Sequence, residues 1–276
     1  MPDNQQPPID HTQHLVEPDA RPDLSSIPSR FGEDEWKSPA KKLRARLHKQ
    51  LQEQQNLLFA EHKRAVLVVL QAPDAAGKDS TIRRCFGVLN PQRCRTHSFV
   101  KPNRRERDHD FLWRIHFRTP GRGKIGIFNR SHYEAVLIEK VKSLVSEEQI
   151  QARYDHINAF EKMLHDEGTT IIKFYLHISR AYQKRRFERR LRRADKRWKF
   201  SKNDLSEREY WDDYMAAYEQ VFARCSPGFA PWYIVPAERR WYRDVVILRA
   251  LLDKMQSMHL QLPRPDISLK SVTIPD

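Results

Sequence analysis

The sequence predicts an α/β fold, a parallel sheet with helices on both faces and a basic helical segment beside it. Residues 66–70 (Val-Leu-Val-Val-Leu) form an unbroken run of branched apolar side chains, the pattern of a strand buried on both faces. Strand-like runs then alternate with helix-like stretches to the end of the chain, the order that builds βαβ units.

In chain order, residues 1–35 are rich in Pro, Asp and Gln, carry few apolar side chains and are expected to form a flexible tail. The folded domain is expected over 36–263, with a C-terminal tail over 264–276. Leu43, Leu47, Leu51 and Leu58 share one helical stripe, and Ser38-Pro39 suits its start. A helix is expected over about 78–89, stopping before Asn90-Pro91, then a strand over 94–100 and a short helix over 108–117. The turn at 119–123 leads to a third strand at 124–129, followed by helices over about 133–144 and 147–167. Ser146 caps the second of these, and Gly168 closes it. Residues 169–178 read as the fourth strand, 206–223 as a helix, 232–235 as the fifth strand and 241–258 as a last helix.

Composition narrows the partners. No apolar run approaches the roughly 18 residues of a membrane span, and the N-terminus lacks the basic and apolar regions of a secretory signal. Cys85, Cys94 and Cys225 are scattered without C-x-x-C spacing, so neither a disulfide framework nor a zinc site is indicated, and cytoplasmic residence is expected. The net charge of +14 implies a polyanionic partner. Residues 180–202 hold twelve Lys or Arg against Glu188 and Asp195, too few acids for a lattice of helical ion pairs. A solvated helix face is the plain alternative to a cover over a multiply charged substrate. No zinc-finger, RNA-recognition or basic-zipper pattern is present, which speaks against nucleic acid.

The first strand runs into Ala72-Pro-Asp-Ala-Ala-Gly-Lys-Asp-Ser80. This approximates the phosphate loop G-x-x-x-x-G-K-[ST], with Ala72 at the first glycine and Asp79 at the Ser or Thr. Backbone N–H groups of Ala75, Ala76, Gly77, Lys78, Asp79 and Ser80 are the expected phosphate contacts, with an ordinary strand-to-helix turn as the alternative. Asp74 in such a loop makes chemical sense with a divalent cation between it and phosphate oxygens; otherwise it is a turn-forming aspartate. Lys78 is placed to neutralise charge on a transferred group.

The third strand ends in Asn129-Arg-Ser-His-Tyr-Glu134, and in a parallel sheet this falls on the same edge as the loop. Arg130 offers a planar fork suited to phosphate, or else an ion pair with Asp74 or Glu134. Asn129, Arg130, Ser131, His132, Tyr133 and Glu134, with Lys101 from the loop after the second strand, are the expected nucleotide contacts. His132 and Tyr133 would equally suit packed core positions.

Together these stretches resemble the second family of polyphosphate kinases, P-loop phosphotransferases related in fold to thymidylate kinase. Ala72-Pro-Asp-Ala-Ala-Gly-Lys78 matches that family's G-x-D-x-x-G-K loop except at the first glycine, and Phe128-Asn-Arg-Ser-His-Tyr-Glu134 resembles its strand-end motif in the subclass acting on AMP and ADP. Asp110-Phe-Leu-Trp-Arg114, Lys196-Arg-Trp-Lys-Phe200, Trp211-Asp-Asp-Tyr214 and Ala230-Pro-Trp-Tyr233 match further. The resemblance implies a P-loop kinase-like (thymidylate-kinase-like) fold and magnesium (Mg2+) held through Asp74. It also implies a homo-oligomer and transfer of the terminal phosphoryl group of inorganic polyphosphate to AMP or ADP, with ATP as a product. It places a flexible lid at about 185–204, where Arg185, Arg186, Arg189, Lys196 and Arg197 would grip phosphates. The sequence departs from the pattern at Ala72 and at Ala135, where that subclass usually has an acid. Two rival activities stay open: an ATP-dependent nucleoside monophosphate kinase, and a nucleotide- or polyphosphate-binding module.

Overall fold

The computed structural model describes residues 7–200 and 202–264. Among them five parallel strands, β1 (Ala65–Gln71), β2 (Cys94–Ser98), β3 (Ile125–Asn129), β4 (Thr169–His177) and β5 (Trp232–Pro236), form one sheet in the order β2-β3-β1-β4-β5. The helices are α1 (Lys37–Glu61), α2 (Lys78–Cys85), α3 (Arg104–Arg107), α4 (Trp113–His116), α5 (Ile138–Val141), α6 (Glu147–Asp166), α7 (Arg180–Arg192), α8 (Lys202–Glu209), α9 (Trp211–Arg224) and α10 (Arg240–Gln256).

Successive side chains of a strand point to opposite faces, and β1 divides its apolar residues accordingly. Val66, Val68 and Leu70 pack with Leu47, Leu51 and Leu58 of α1 and with the apolar face of α10. Leu67 and Val69 pack on the other face with Tyr154 and Ile157 of α6 and Tyr218 and Phe222 of α9. The central strand is thus walled on both sides, and its end is held in register. Leu70 stands opposite Asn129 of β3 and Phe174 of β4, so the chain leaves β1 beside the end of β3.

Three expectations need correction. Residues 7–35 are not a detached tail but a strap along the outer edge of β5. Val16 N–H donates to Trp232 O at 2.9 Å, Leu15 bridges Tyr233, and Ile9, Val16 and Leu24 are buried. The helix expected over 108–117 shrinks to a single turn, α4, and a separate single turn, α3, precedes it. Asn103 and Glu106 form a capping box on α3, and Asp110 Oδ1 caps α4 through the N–H groups of Leu112 and Trp113. The helix expected over 133–144 breaks into a 3-10 turn (His132–Val136) and α5, because Leu137 takes a non-helical backbone (φ −105°, ψ −81°). The expected C-terminal tail, beyond its first residue, lies outside the described residues.

Candidate active site

The loop after β1 turns back on itself through two left-handed residues, Ala75 (φ 63°) and Gly77 (φ 104°). At Gly77 a Cβ would stand 3.1 Å from Ser80 Oγ and 3.2 Å from Arg243 Nη1, in a backbone region that favours glycine. The helix α2 starts at once, with Thr81 N–H donating to Gly77 O at 2.9 Å. The N–H groups of that first turn point out along the helix axis, a ready site for an anion. Lys78 folds back over the loop and donates from Nζ to Ala72 O at 2.7 Å. Burial pushes the pKa of its ammonium down, and the Asp74 carboxylate opposes this only in part, so the net shift is downward.

A cationic floor lies under the loop. The Asp244 carboxylate, fully buried on α10, accepts from Arg84, from Arg44 at 3.3 Å and from Arg243 Nη2 at 2.6 Å. Arg243 also reaches Ser80 Oγ at 3.5 Å. Three guanidiniums on one carboxylate leave surplus positive charge below the phosphate site.

The end of β3 meets the loop from the side. Arg130, left-handed at φ 61°, donates its N–H to Leu70 O at 3.0 Å and its Nη2 to Asp74 Oδ1 at 3.2 Å. Burial lowers the pKa of this guanidinium, but the Glu134 and Asp74 carboxylates outweigh it, so the net shift is upward. Asn129 Nδ2 donates to Asp79 Oδ1 at 3.0 Å and Ser98 Oγ at 3.2 Å. Asp74, Arg130 and Glu134 then line a cavity of about 150 Å³ together with Glu207, Trp211 and Tyr214. Burial raises the carboxyl of Glu134, opposed by Arg130 and Lys78.

Among the described residues no group of three or more His, Cys, Asp and Glu could hold a metal alone. Asp74 and Glu134, two hard carboxylates on one cavity, fit magnesium in its usual form, with few protein oxygens and the remaining ligands from phosphate and water.

A phosphate loop, an arginine at the neighbouring strand end and a carboxylate between them are the geometry the sequence motif requires. The profile of Polyphosphate kinase 2 (PPK2) matches residues 34–263. The chain belongs to the polyphosphate kinase 2 family. It is 43% identical over 268 residues to the AMP/ADP-polyphosphate phosphotransferase of Meiothermus ruber, covering 95% of this chain and 99% of the relative. The ADP-polyphosphate phosphotransferase of Rhodopseudomonas palustris is 42% identical over 225 residues, 77% of this chain and 78% of the relative. The crystal structure of Polyphosphate Kinase 2 from Arthrobacter aurescens superposes with a TM-score of 0.87 at 36% identity, covering 93% of this chain and 95% of that one. As a member of this family, the chain is a polyphosphate-dependent nucleotide phosphotransferase with a P-loop kinase-like α/β fold.

The polyphosphate kinase motifs are not all at the surface. Ser131, His132 and Tyr133, expected at the nucleotide, are buried behind the cavity. Ser131 Oγ accepts from Gln71 Nε2 (3.1 Å) and Tyr133 N–H (3.2 Å). Glu161 Oε1 accepts from Tyr133 O–H (3.0 Å) and lies 3.1 Å from His132 Nε2. Lys173, in the middle of β4, completes this cluster: Nζ donates to Glu161 Oε2, to Tyr133 OH at 2.9 Å and to Cys225 O at 2.8 Å. Burial raises the Glu161 carboxyl, yet Lys173 and His132 outweigh it and hold it below the usual range. Their role is to anchor the turn that carries Arg130 and Glu134. Ala135, where an acid was the family expectation, is also buried, and its carbonyl accepts from Arg153 Nη1 at 2.8 Å.

Of the remaining expected contacts, Lys101 is exposed beyond β2. Along the lid, Arg185 faces Glu238 at 3.7 Å, Arg189 is exposed, and Arg197 donates to Leu191 O at 2.8 Å. Burial and the neighbouring Arg240, Arg189 and Arg190 push the pKa of the Arg186 guanidinium down. The side chain of Lys196 lies outside the described residues. Sequence reasoning missed Gln183, which is buried on α7, donates to Asp74 O at 3.0 Å and accepts from Arg208 at 2.9 Å, tying the lid helices to the phosphate loop. It also missed Arg243, and Lys173, whose signal was a charge standing inside an apolar run.

Proposed function

We propose that the chain moves the terminal phosphoryl group of inorganic polyphosphate to AMP and to ADP, giving ADP and ATP. The observation that carries this reading is the convergence of Lys78, Arg130 and Asp74 on one end of the sheet, under an arginine-rich helical cover. The acceptor names of the relatives from Meiothermus ruber and Rhodopseudomonas palustris support the choice of nucleotides.

The donor's terminal phosphate seats on the first turn of α2. An acceptor phosphate oxygen forms the new O–P bond as the phosphoanhydride bond breaks, and polyphosphate leaves one unit shorter. Lys78 and Arg130 stabilise charge on the transferring group, and the arginines above Asp244 reinforce that field. Asp74 and Glu134 are the residues that would hold magnesium, which would supply neutralisation of the phosphate oxygens. The cavity of about 150 Å³ is smaller than the roughly 300–1,000 Å³ of common ligand sites. In this conformation it has room for the phosphate end of an acceptor but not for the base. No helix among the described residues is long and apolar enough to cross a membrane.

A donor-by-acceptor assay tests it. With magnesium, polyphosphate and AMP or ADP, purified protein should form ADP or ATP without added nucleoside triphosphate. With ATP and AMP but no polyphosphate it should be much slower. Ready use of ATP with indifference to polyphosphate would establish the monophosphate kinase instead, and binding without transfer would establish a binding module.

A further inference from the structure

The charge of +14 has two sources, and the lid at 180–202 is only one. Residues 93–124 hold ten Lys or Arg against Glu106, Asp108 and Asp110, and outside these two windows the chain is net negative. The second source lies across the sheet from the lid. It surrounds the edge strand β2, with β3 and β1 between it and β4, the strand that leads into α7.

This region is a built platform. Glu106 Oε2 accepts Asn103 N–H at 2.9 Å and Arg114 Nη1 at 3.4 Å, Arg114 also donates to Val100 O at 2.8 Å, and Asp110 is occupied in capping α4. Two of the three acids are therefore turned inward on backbone and Arg114. The exposed side chains of Arg95, Arg104, Arg118 and Arg122 have no hydrogen-bond or ion-pair partner among the described residues. Burial and the charges of Arg118 and Arg95 depress the pKa of His97, so cations from β2 and from the connection to β3 act on one face.

The platform joins the active site where β2 ends. Ser98 Oγ accepts from Asn129, which also holds Asp79 at the start of α2. Two strand spacings, about 10 Å, separate β2 from β1. On the other side of the loop the cavity lined by Asp74, Arg130, Glu134 and Glu207 is given to the acceptor, so the rest of a long donor has to leave the loop elsewhere. A polyanion with its end on the phosphate loop therefore meets cations from the lid above and from the β2 edge beside it.

We propose that the exposed cations of 93–124, Arg95, Arg104 and Arg118 foremost, form a second polyanion subsite that holds the outlying phosphates of a long polyphosphate donor. The inference rests on the polyphosphate reading above and adds a preference for donor length to it. A short donor fills the phosphate loop without reaching this face.

The test is the triple variant Arg95→Gln/Arg104→Gln/Arg118→Gln, assayed with long polyphosphate and with tripolyphosphate and checked for an unaltered melting temperature. The KM for long polyphosphate should rise roughly tenfold, that for tripolyphosphate should rise far less, and the salt slope of long-polyphosphate binding measured without nucleotide should fall by about two, as expected for about three lost phosphate contacts. Charge reversal by Arg104→Glu should act in the same direction. An equal rise for both donors would show a general field, and no change would show a solvated edge; either overturns the subsite. Loss of affinity for a duplex oligonucleotide with donor-length dependence intact would overturn it in favour of a nucleic-acid surface. Wild-type protein that transfers from neither donor would sink the polyphosphate reading, while the salt slope would still judge the subsite.

Discussion

Two lysines, one inside the sheet and one at the start of the helix beyond its edge, do opposite work. Lys173 in β4 is wholly buried, and its three ammonium protons meet three acceptors: Glu161, Tyr133 OH and Cys225 O. Lys78, the first residue of α2, lies among the charges of Asp74, Glu134 and Asp79, yet among the described residues it makes one hydrogen bond, to Ala72 O. A saturated buried charge has nothing left to offer a ligand, so what it does is fix the chain around it. An unsaturated one beside a cavity keeps donors in reserve for oxygens that arrive with a substrate. Charge in the interior therefore does not mark a site; unspent hydrogen-bonding capacity does.

The largest effect that could break this contrast is on stability. Glu161→Leu strands the Lys173 ammonium in the core and should cost about 3–5 kcal/mol, read from urea unfolding. Adding Lys173→Met should recover much of the loss, because removing both charges is far cheaper than orphaning one. A cost below about 1 kcal/mol for Glu161→Leu would refute the saturated cluster. Next comes Lys78→Ala, expected to lower turnover on the order of 10²-fold or more. Its unfolding midpoint should hardly move, since the side chain has one hydrogen bond to lose. Near-normal turnover would remove Lys78 from the reaction. The smallest effect sharpens the boundary between the two regions: Tyr133→Phe deletes one hydroxyl from the cluster and should cost about 1 kcal/mol. The acceptor KM should stay unchanged, because the ring is fully buried. A raised KM would return Tyr133 to the nucleotide.

That last variant bears on what the sequence could show. All five strands were legible within two residues or so, four of them as apolar runs bounded by turn residues and β2 only as a weak alternation, and parallel pairing then brings the loop at 72–80 and Arg130 to one edge. The spacing of Asp74, Gly77 and Lys78 carried the phosphate site for the same local reason. Illegible features depend on contacts between distant residues. Lys173 interrupts Thr169-Thr-Ile-Ile-Lys-Phe, which announces a buried charge but not that Glu161, twelve positions earlier, would meet it. The strap at 7–35 looked like a tail because its apolar residues follow no period; Ile9, Val16 and Leu24 are seated one at a time against the finished body. His132 and Tyr133 were read by their place in a motif, and a motif does not say which of its side chains point inward.

The strap also settles how the sheet ends on the β5 side. The exposed rim of a terminal strand is a row of unpaired backbone groups, and any other chain in extended form can add to it, which is how aggregates and swapped dimers begin. Here Leu15 and Val16 occupy that row themselves. The same segment is pinned further along, where Ser29 Oγ and Ser179 Oγ both donate to Glu238 Oε1 at the foot of α7. A shortened chain starting at residue 34, where the family profile begins, would keep every catalytic group and lose this seal. Its weakness would appear during production as sticky, self-associating protein rather than as lost chemistry.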